Sequence, residues 1–179
     1  MPIQPGTHKL GPDNATLFVK TGRAGAAAKA GHDLVIDVTS WSATLEVGED
    51  PAQSSMELDA DAGSLSVREG KGGAKALGED DKTDIKKSID EDILKGGEIK
   101  FRSSEVTGSE DRLSVRGELE LAGKSHPVSF ELSVADGELT ASATVKQTDW
   151  GIKPYSALFG ALKVKDEVEV VVQGELPAG

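Results

Sequence analysis

The chain has 179 residues and carries 31 acidic against 20 basic side chains, a formal net charge of −11. Such a surface repels phosphate backbones, and no Lys/Arg stripe interleaved with aromatics offsets it, so neither nucleic acid nor an anionic membrane surface is an expected partner. Cysteine is absent, which removes disulfides, thiol nucleophiles and thiolate metal centres together.

At 37% hydrophobic and 28% charged the composition suits one folded domain spanning 1–179, but only 4% is aromatic, so the core must be built from Val, Leu, Ile and Ala. The start, Met1-Pro2-Ile3-Gln4-Pro5-Gly6, has neither the basic nor the apolar region of a signal peptide. No apolar run approaches the length of about 18 residues that a membrane-spanning helix needs. The expectation is a cytoplasmic chain without an integral membrane segment, periplasmic or secreted only if a leader has been removed.

Along the chain, period-2 alternation dominates, the mark of half-buried strands. Ala15, Leu17 and Val19 share one face, and Thr16, Phe18 and Lys20 the other. Leu34, Ile36 and Val38 follow, and after Ser40 the apolar parity flips to Trp41, Ala43, Leu45 and Val47. A flip inside one extended run predicts a bulge or bend, because a one-residue slip turns every side chain to the opposite face. Met56 and Leu58, then Leu65 and Val67, predict a pair of short strands around an Asp59–Gly63 turn.

Glu69–Gly78 is rich in Gly and Lys and reads as a loop. Asp80–Leu94 changes period: Ile85, Ile89 and Ile93 fall at helical spacing, Lys86 and Lys87 lie beside acids, and Gly96-Gly97 ends the run. Ile99 and Phe101 return to strand parity. Leu113, Val115, Leu119 and Leu121 then share one face before a turn at Gly123-Lys124-Ser125. Val128, Phe130, Leu132 and Val134 precede Asp136-Gly137, a strong hairpin signal, and Leu139, Ala141, Ala143 and Val145 return. Val164, Val168, Val170 and Val172 form a terminal strand. About eight strands with short connections predict a barrel or sandwich.

Several segments in order are similar to the YceI-like family, often described as polyisoprenoid-binding. Leu58-Asp59-Ala60-Asp61-Ala62-Gly63-Ser64-Leu65 resembles its early Ser-Leu strand, and Ile99-Lys100-Phe101-Arg102-Ser103 its I-x-F-x-S element. Val115–Val128, with Gly117 and Gly123 in place, resembles the family's paired-glycine hairpin. Gln147-Thr148-Asp149-Trp150-Gly151-Ile152 resembles its R-x-D-F-G-I element, with Gln for Arg and Trp for Phe, and Asp166–Glu175 its closing strand. The family's Arg-Asp-x-His-Leu before the helix is replaced by Asp80-Asp81-Lys82-Thr83-Asp84-Ile85. The resemblance implies an all-β, antiparallel, eight-stranded lipocalin-like barrel with one short helical segment near residues 80–95, and a long apolar ligand inside it.

The residues offer little chemistry. His8, His32 and His126 are widely separated and lack the spacing of a metal site, so neither metal nor cofactor is expected. His32 and Asp33 are neighbours on a strand and point to opposite faces, which keeps them from sharing a site with Ser40 or Ser42 as nucleophile. Asp59-x-Asp61-x-Gly63 lacks the third acid and the closing Glu of a calcium loop and reads as a turn. Gly70–Lys75 fails the phosphate-loop pattern because Ala74 follows Gly73. Glu79-Asp80-Asp81 complements the positive end of the following helix.

The aromatics are Trp41, Trp150, Tyr155, Phe18, Phe101, Phe130 and Phe159, and about half of them are expected as plugs at a closed end. With so few bulky residues, Ala43, Ala141, Ala143 and Val145 at inward parity would leave a dry, narrow channel, which suits an apolar guest.

The expected function is therefore non-catalytic binding, transport or sequestration of an isoprenoid quinone, polyprenyl chain or fatty amide. The alternatives are an enzyme on a lipidic substrate with His32 or His126 as base, and a ligand-free stress or interaction protein with a solid core. The expected lining is Leu17, Val19, Ile36, Trp41, Phe101, Leu119, Phe130, Val145 and Trp150, with Ile85, Ile89 and Phe159 near one end. The ligand is expected to pass Asp80–Gly97 and the Asp149–Gly160 turn, with Trp150 as a wall of the cavity. A homodimer is compatible with this reading.

Overall fold

The computed structural model describes residues 5–24, 33–71, 78–93, 98–109, 111–152, 156–157 and 162–175. The strands are β1 (Gly6–Leu10), β2 (Ala15–Lys20), β3 (Arg23–Ala24), β4 (Asp33–Val38), β5 (Trp41–Val47), β6 (Ser55–Asp61) and β7 (Leu65–Lys71). Helix α1 (Glu79–Ser88) intervenes and continues as a wider, π-type turn over Ile89–Ile93. Then come β8 (Glu98–Gly108), β9 (Arg112–Leu121), β10 (Lys124–Ala135), β11 (Glu138–Lys146), β12 (Ser156–Ala157), β13 (Leu162–Val164) and β14 (Glu167–Glu175).

Eleven strands form one sheet in the order β1-β5-β6-β8-β9-β10-β11-β14-β2-β4-β7, and β12-β13-β3 form a second, small one. Thr39-Ser40 carries β4 into β5, and Ala62–Ser64 carries β6 into β7. The two ends of the large sheet are therefore two halves of one bent ribbon, and the strands curl into a half-barrel of the lipocalin-like kind around a shared interior. The expected strand number is corrected from eight to eleven in this sheet. The extra strands come from breaks in long runs: β1/β2 at Gly11–Asn14, β4/β5 at Thr39-Ser40 and β6/β7 at Ala62–Ser64.

Each break is held by local polar chemistry. Asn14 accepts from the Gly11 amide at 2.9 Å and donates to the Lys9 carbonyl at 2.9 Å. The Ser64 carbonyl takes the Thr39 amide at 3.0 Å and the Thr39 hydroxyl at 2.8 Å, while the Ser64 hydroxyl accepts from the Ser40 amide at 3.1 Å. This clasp is the physical form of the parity flip: Val38 and Trp41, three residues apart, both turn inward and are buried.

Asp59–Gly63 is not the turn of a hairpin, which corrects that expectation. β6 pairs with β5 and β8, whereas β7 pairs with β4, and Asp61 merely caps the bend by accepting from the Gly63 amide at 2.8 Å. Glu69 to Lys71 is strand, not loop, and Gly72 to Leu77 lies outside the described residues. Val164 belongs to β13 and not to the terminal strand, because Lys165-Asp166 separates it from β14.

The hairpin turns follow their chemistry. Asp136 and Gly137 both have positive φ (53° and 81°), as do Ala122 and Gly123 (51° and 79°), the backbone that two-residue turns between twisted strands require. The second of these turns begins a residue earlier than expected, and Lys124 and Ser125 already belong to β10. Gly117 faces a bulge in β8 between Ser103 and Glu105, and a Cβ there would lie 2.2 Å from the Arg102 carbonyl oxygen. That close backbone approach explains the glycine.

Inward parity gathers nearly all buried apolar residues into one cluster. The outer face of β2, β4 and β14 carries a second, small cluster of Phe18, Val35 and Val171. Arg68 lies over the Phe18 ring at 5.0 Å and pairs with Asp37, whose hydrogen bond and charge raise the Arg68 pKa. The guanidinium therefore roofs an apolar patch that the strand alternation had turned outward.

Candidate functional site: the mouth of the barrel

The two ends of the barrel differ in how the strands are joined. At one end β5 meets β6, β8 meets β9 and β10 meets β11 through short connections. Here the interior is packed solid: Leu45, Leu132 and Leu139 are 0% exposed, and Val106, Val115 and Leu113 are buried around them. Aliphatic side chains close this end, and the expected aromatic plugs are not among them.

From the other end leave the connections β2 to β4, β7 to α1 and β8, and β11 to β14, beside the tight Ala122-Gly123 turn. Here the inward row loosens. Val19, Leu119, Phe130, Ala143, Val168 and Val170 face the core yet are only half-buried. The inward aromatics belong to this half. Phe101 stands opposite Leu119 in register and tilts against Phe130, with ring centroids 5.4 Å apart. On β11 and β14, next in the sheet order, the inward residues are small, with Ala143 opposite Val170 and Val145 opposite Val168.

Of the expected lining, Leu17, Ile36, Trp41, Ile89, Phe101, Val145 and Trp150 are buried in the core cluster, and Val19, Ile85, Leu119 and Phe130 pack against it. Phe159 lies outside the described residues, as do His32 and Tyr155. Leu121, Ile99, Val168 and Val170 also pack, half-buried, against that cluster and were not among the expected residues. Strand parity alone marks them, since each continues an alternation already counted.

Helix α1 caps the side where β7 has no further strand partner in the sheet. Ile85 and Ile89 turn to the core, and Ile89 is 6% exposed. Lys86 fastens the helix: its ammonium donates to the Gly63 carbonyl at 2.8 Å and the Leu65 carbonyl at 2.9 Å, and pairs with Asp90 at 3.4 Å. Sequence patterning placed Lys86 beside acids, and only the fold brings it to the carbonyls of the β6/β7 bend.

Trp150 is placed by the turn that follows β11. Gln147 is buried and donates from Nε2 to the Lys165 carbonyl at 3.0 Å. Thr148 gives its amide (2.8 Å) and its hydroxyl (2.6 Å) to the Asp166 carboxylate, and the hydroxyl bond holds that carboxyl below the usual carboxylate range. Gly151 ends the turn at φ 71° and packs against Lys124, where a Cβ would meet the ammonium. Trp150 is thereby carried to the β9–β10 rung: its indole Nε1 donates to the Leu119 carbonyl at 2.8 Å, and its ring meets His126 edge-on at 5.5 Å. His8 lies across from Leu45, and His126 across from Leu119. Among the described residues no group of His, Asp and Glu gathers as metal ligands, and no helix is long and apolar enough to cross a membrane.

The chain matches the model of the YceI-like domain over residues 13–176. No curated protein sequence matches it. Among solved structures, BcnA of Burkholderia cenocepacia aligns with TM-score 0.64 at 16% identity, covering 89% of this chain and 94% of that one. The YceI protein of Campylobacter jejuni aligns with TM-score 0.58 at 13% identity over 80% of this chain and 85% of that one. A cysteine mutant of the latter, at 12% identity and the same coverage and TM-score, was solved with a monobromobimane guest. At these identities the structures share the fold, and the domain match settles the lineage: the chain belongs to the YceI-like family.

Proposed function

We propose that the protein binds a long apolar chain, such as an isoprenoid quinone, a polyprenyl chain or a fatty amide, inside the barrel and carries or sequesters it without reacting on it. The observation that carries this reading is the gradient along the interior. Leu45, Leu132 and Leu139 are 0% exposed toward one end, whereas toward the other Val19, Leu119, Phe130, Ala143, Val168 and Val170 are only half-buried beside the buried Phe101, Val145 and Trp150. A row of apolar side chains facing inward but incompletely covered gains free energy when an apolar guest covers it, at about 0.8 kcal/mol per buried CH₂ of the guest. Membership of a family described as polyisoprenoid-binding supports the same reading.

Native mass spectrometry after incubation with isoprenoid quinones and fatty amides tests it. The expected result is one added ligand per chain, recovered intact on organic extraction. A spectrum of bare protein throughout would overturn the proposal.

A further inference from the structure

β10 and β11 are joined by the tight Asp136-Gly137 turn, yet they pair only from Ala135↔Glu138 to Glu131↔Ser142. Beyond that rung β10 continues to Lys124 bonded to β9 alone, and β11 continues to Lys146 bonded to β14 alone. Continuing the register would set Ser129 opposite Thr144 and Pro127 opposite Lys146, and these residues are described but unpaired with one another. The sheet is split along a seam that starts beyond the Glu131↔Ser142 rung and runs to the Lys124 and Lys146 ends of β10 and β11.

The sequence builds this seam. In an antiparallel ladder alternate residues point their N–H and C=O to the same neighbour, and the two-residue turn sets the phase. Ala135, Ser133 and Glu131 address β11, so Ser129, Pro127 and Ser125 form an edge with no strand partner among the described residues. Pro127 has no N–H to give, which suits an edge and ends the ladder there. Side chains change state near the same place: Leu132, on the rung before the last paired one, is 0% exposed, whereas Phe130 and Ala143, flanking the seam, are half-buried.

Trp150 closes the seam from inside. It leaves the end of β11, crosses beneath the gap, and is pinned on the far side by the Leu119 carbonyl and the His126 ring. We propose that this seam is the portal through which a long apolar ligand passes sideways into the barrel, with Trp150 as its bolt. This rests on reading the interior as a ligand site. Among the described residues, opening here breaks no strand-to-strand hydrogen bond and releases one indole bond, and a ligand sliding beneath takes over the apolar contacts of the ring. Opening at helix α1 would instead break both Lys86 bonds to carbonyls and expose Ile89.

The absence of cysteine lets introduced thiols be used cleanly. Ser129→Cys with Thr144→Cys places two outward thiols across the seam, to be bridged by a disulfide or, over a wider gap, by dibromobimane. Glu131→Cys with Ser142→Cys bridges a rung that is already paired and serves as the control. Loading of N-dansyl-dodecylamine is followed by stopped-flow fluorescence. Bridging the seam is expected to slow loading by about tenfold or more, as when a gating motion limits passage, and bridging the control rung to leave it unchanged. Trp150→Phe, which keeps a ring but loses the N–H bond, is expected to speed release severalfold. Equal loading with the seam bridged, or equal slowing by both bridges, overturns the portal. No saturable uptake by the unbridged protein is a different failure: it removes the ligand reading itself, and the portal with it.

Discussion

The two ends of one barrel, built from the same strands, do opposite things. At the closed end short turns hold the strands in register and Leu45, Leu132 and Leu139 leave no exposed surface. At the mouth Leu119 on β9, Phe130 on β10 and Val170 on β14 also point inward, yet these residues stay half-covered. Hydrophobic alternation therefore does not by itself specify a solid core. What differs is strand continuity: β10 and β11 are bonded at one end and parted at the other, and helix α1 replaces a strand beside β7. The side chains are fully covered where the ladder is complete and only half-covered where it is parted.

The largest test of this contrast is a pair of truncations. Leu132→Ala should cost about 2–5 kcal/mol, because the sealed end cannot collapse around the cavity. Leu119→Ala at the mouth should cost about 1 kcal/mol or less, since solvent already reaches the site, and should weaken ligand binding instead. Urea unfolding of both variants decides it, and equal costs would erase the distinction between the ends.

Trp150→Phe should sharpen the contrast. Loss of the indole bond to Leu119 should cost about 1 kcal/mol, more than a plain volume swap suggests, because a buried polar bond is removed. The same variant should accept a wider range of alkyl or prenyl chain lengths, measured by binding a homologous series to both forms. An unchanged length profile would make Trp150 packing alone.

Lys86→Met should loosen the other side of the mouth. With its bonds to Gly63 and Leu65 gone, amides of α1 should exchange with deuterium faster, while those around Leu139 stay protected, at a global cost under about 1 kcal/mol. Faster exchange everywhere would mean that the helix supports the whole barrel and not the mouth alone.

The smallest effect concerns acid. The Asp166 carboxyl sits below its ordinary range because Thr148 donates to it, so its folded value is lower than its unfolded one. A depressed carboxyl contributes stability at neutral pH, loses it as pH falls below about 4, and has lost all of it once the folded value is passed. The turn holding Trp150 should therefore loosen in acid before the closed end does. Tryptophan fluorescence against pH reads this, and Thr148→Val should flatten the early phase.

Much of the architecture was legible as pattern. The alternation around Leu17, Ile36 and Leu132 marks inward faces, the flip at Ser40 marks the bend that the Ser64 clasp makes, and Ile85 with Ile89 marks the helix. The Asp136-Gly137 hairpin is written in residues able to take positive φ. These are local properties, and period and turn chemistry act within a few residues of chain.

Pairing across distance was not legible. Whether Asp59–Gly63 turned back or ran on depended on β6 meeting β8 and β7 meeting β4, partners set by the closing of the sheet. The same closure brought Lys86 to the carbonyls of a bend 21 and 23 residues away and Trp150 to Leu119, 31 residues away. By itself the sequence determined which residues turn inward, where the chain bends and that an all-β fold with one helix results, because side-chain periodicity and backbone preference are short-ranged. Only the tertiary structure decided which inward residues are sealed and which line the mouth, since that depends on which strand edges find a partner and which are left parted.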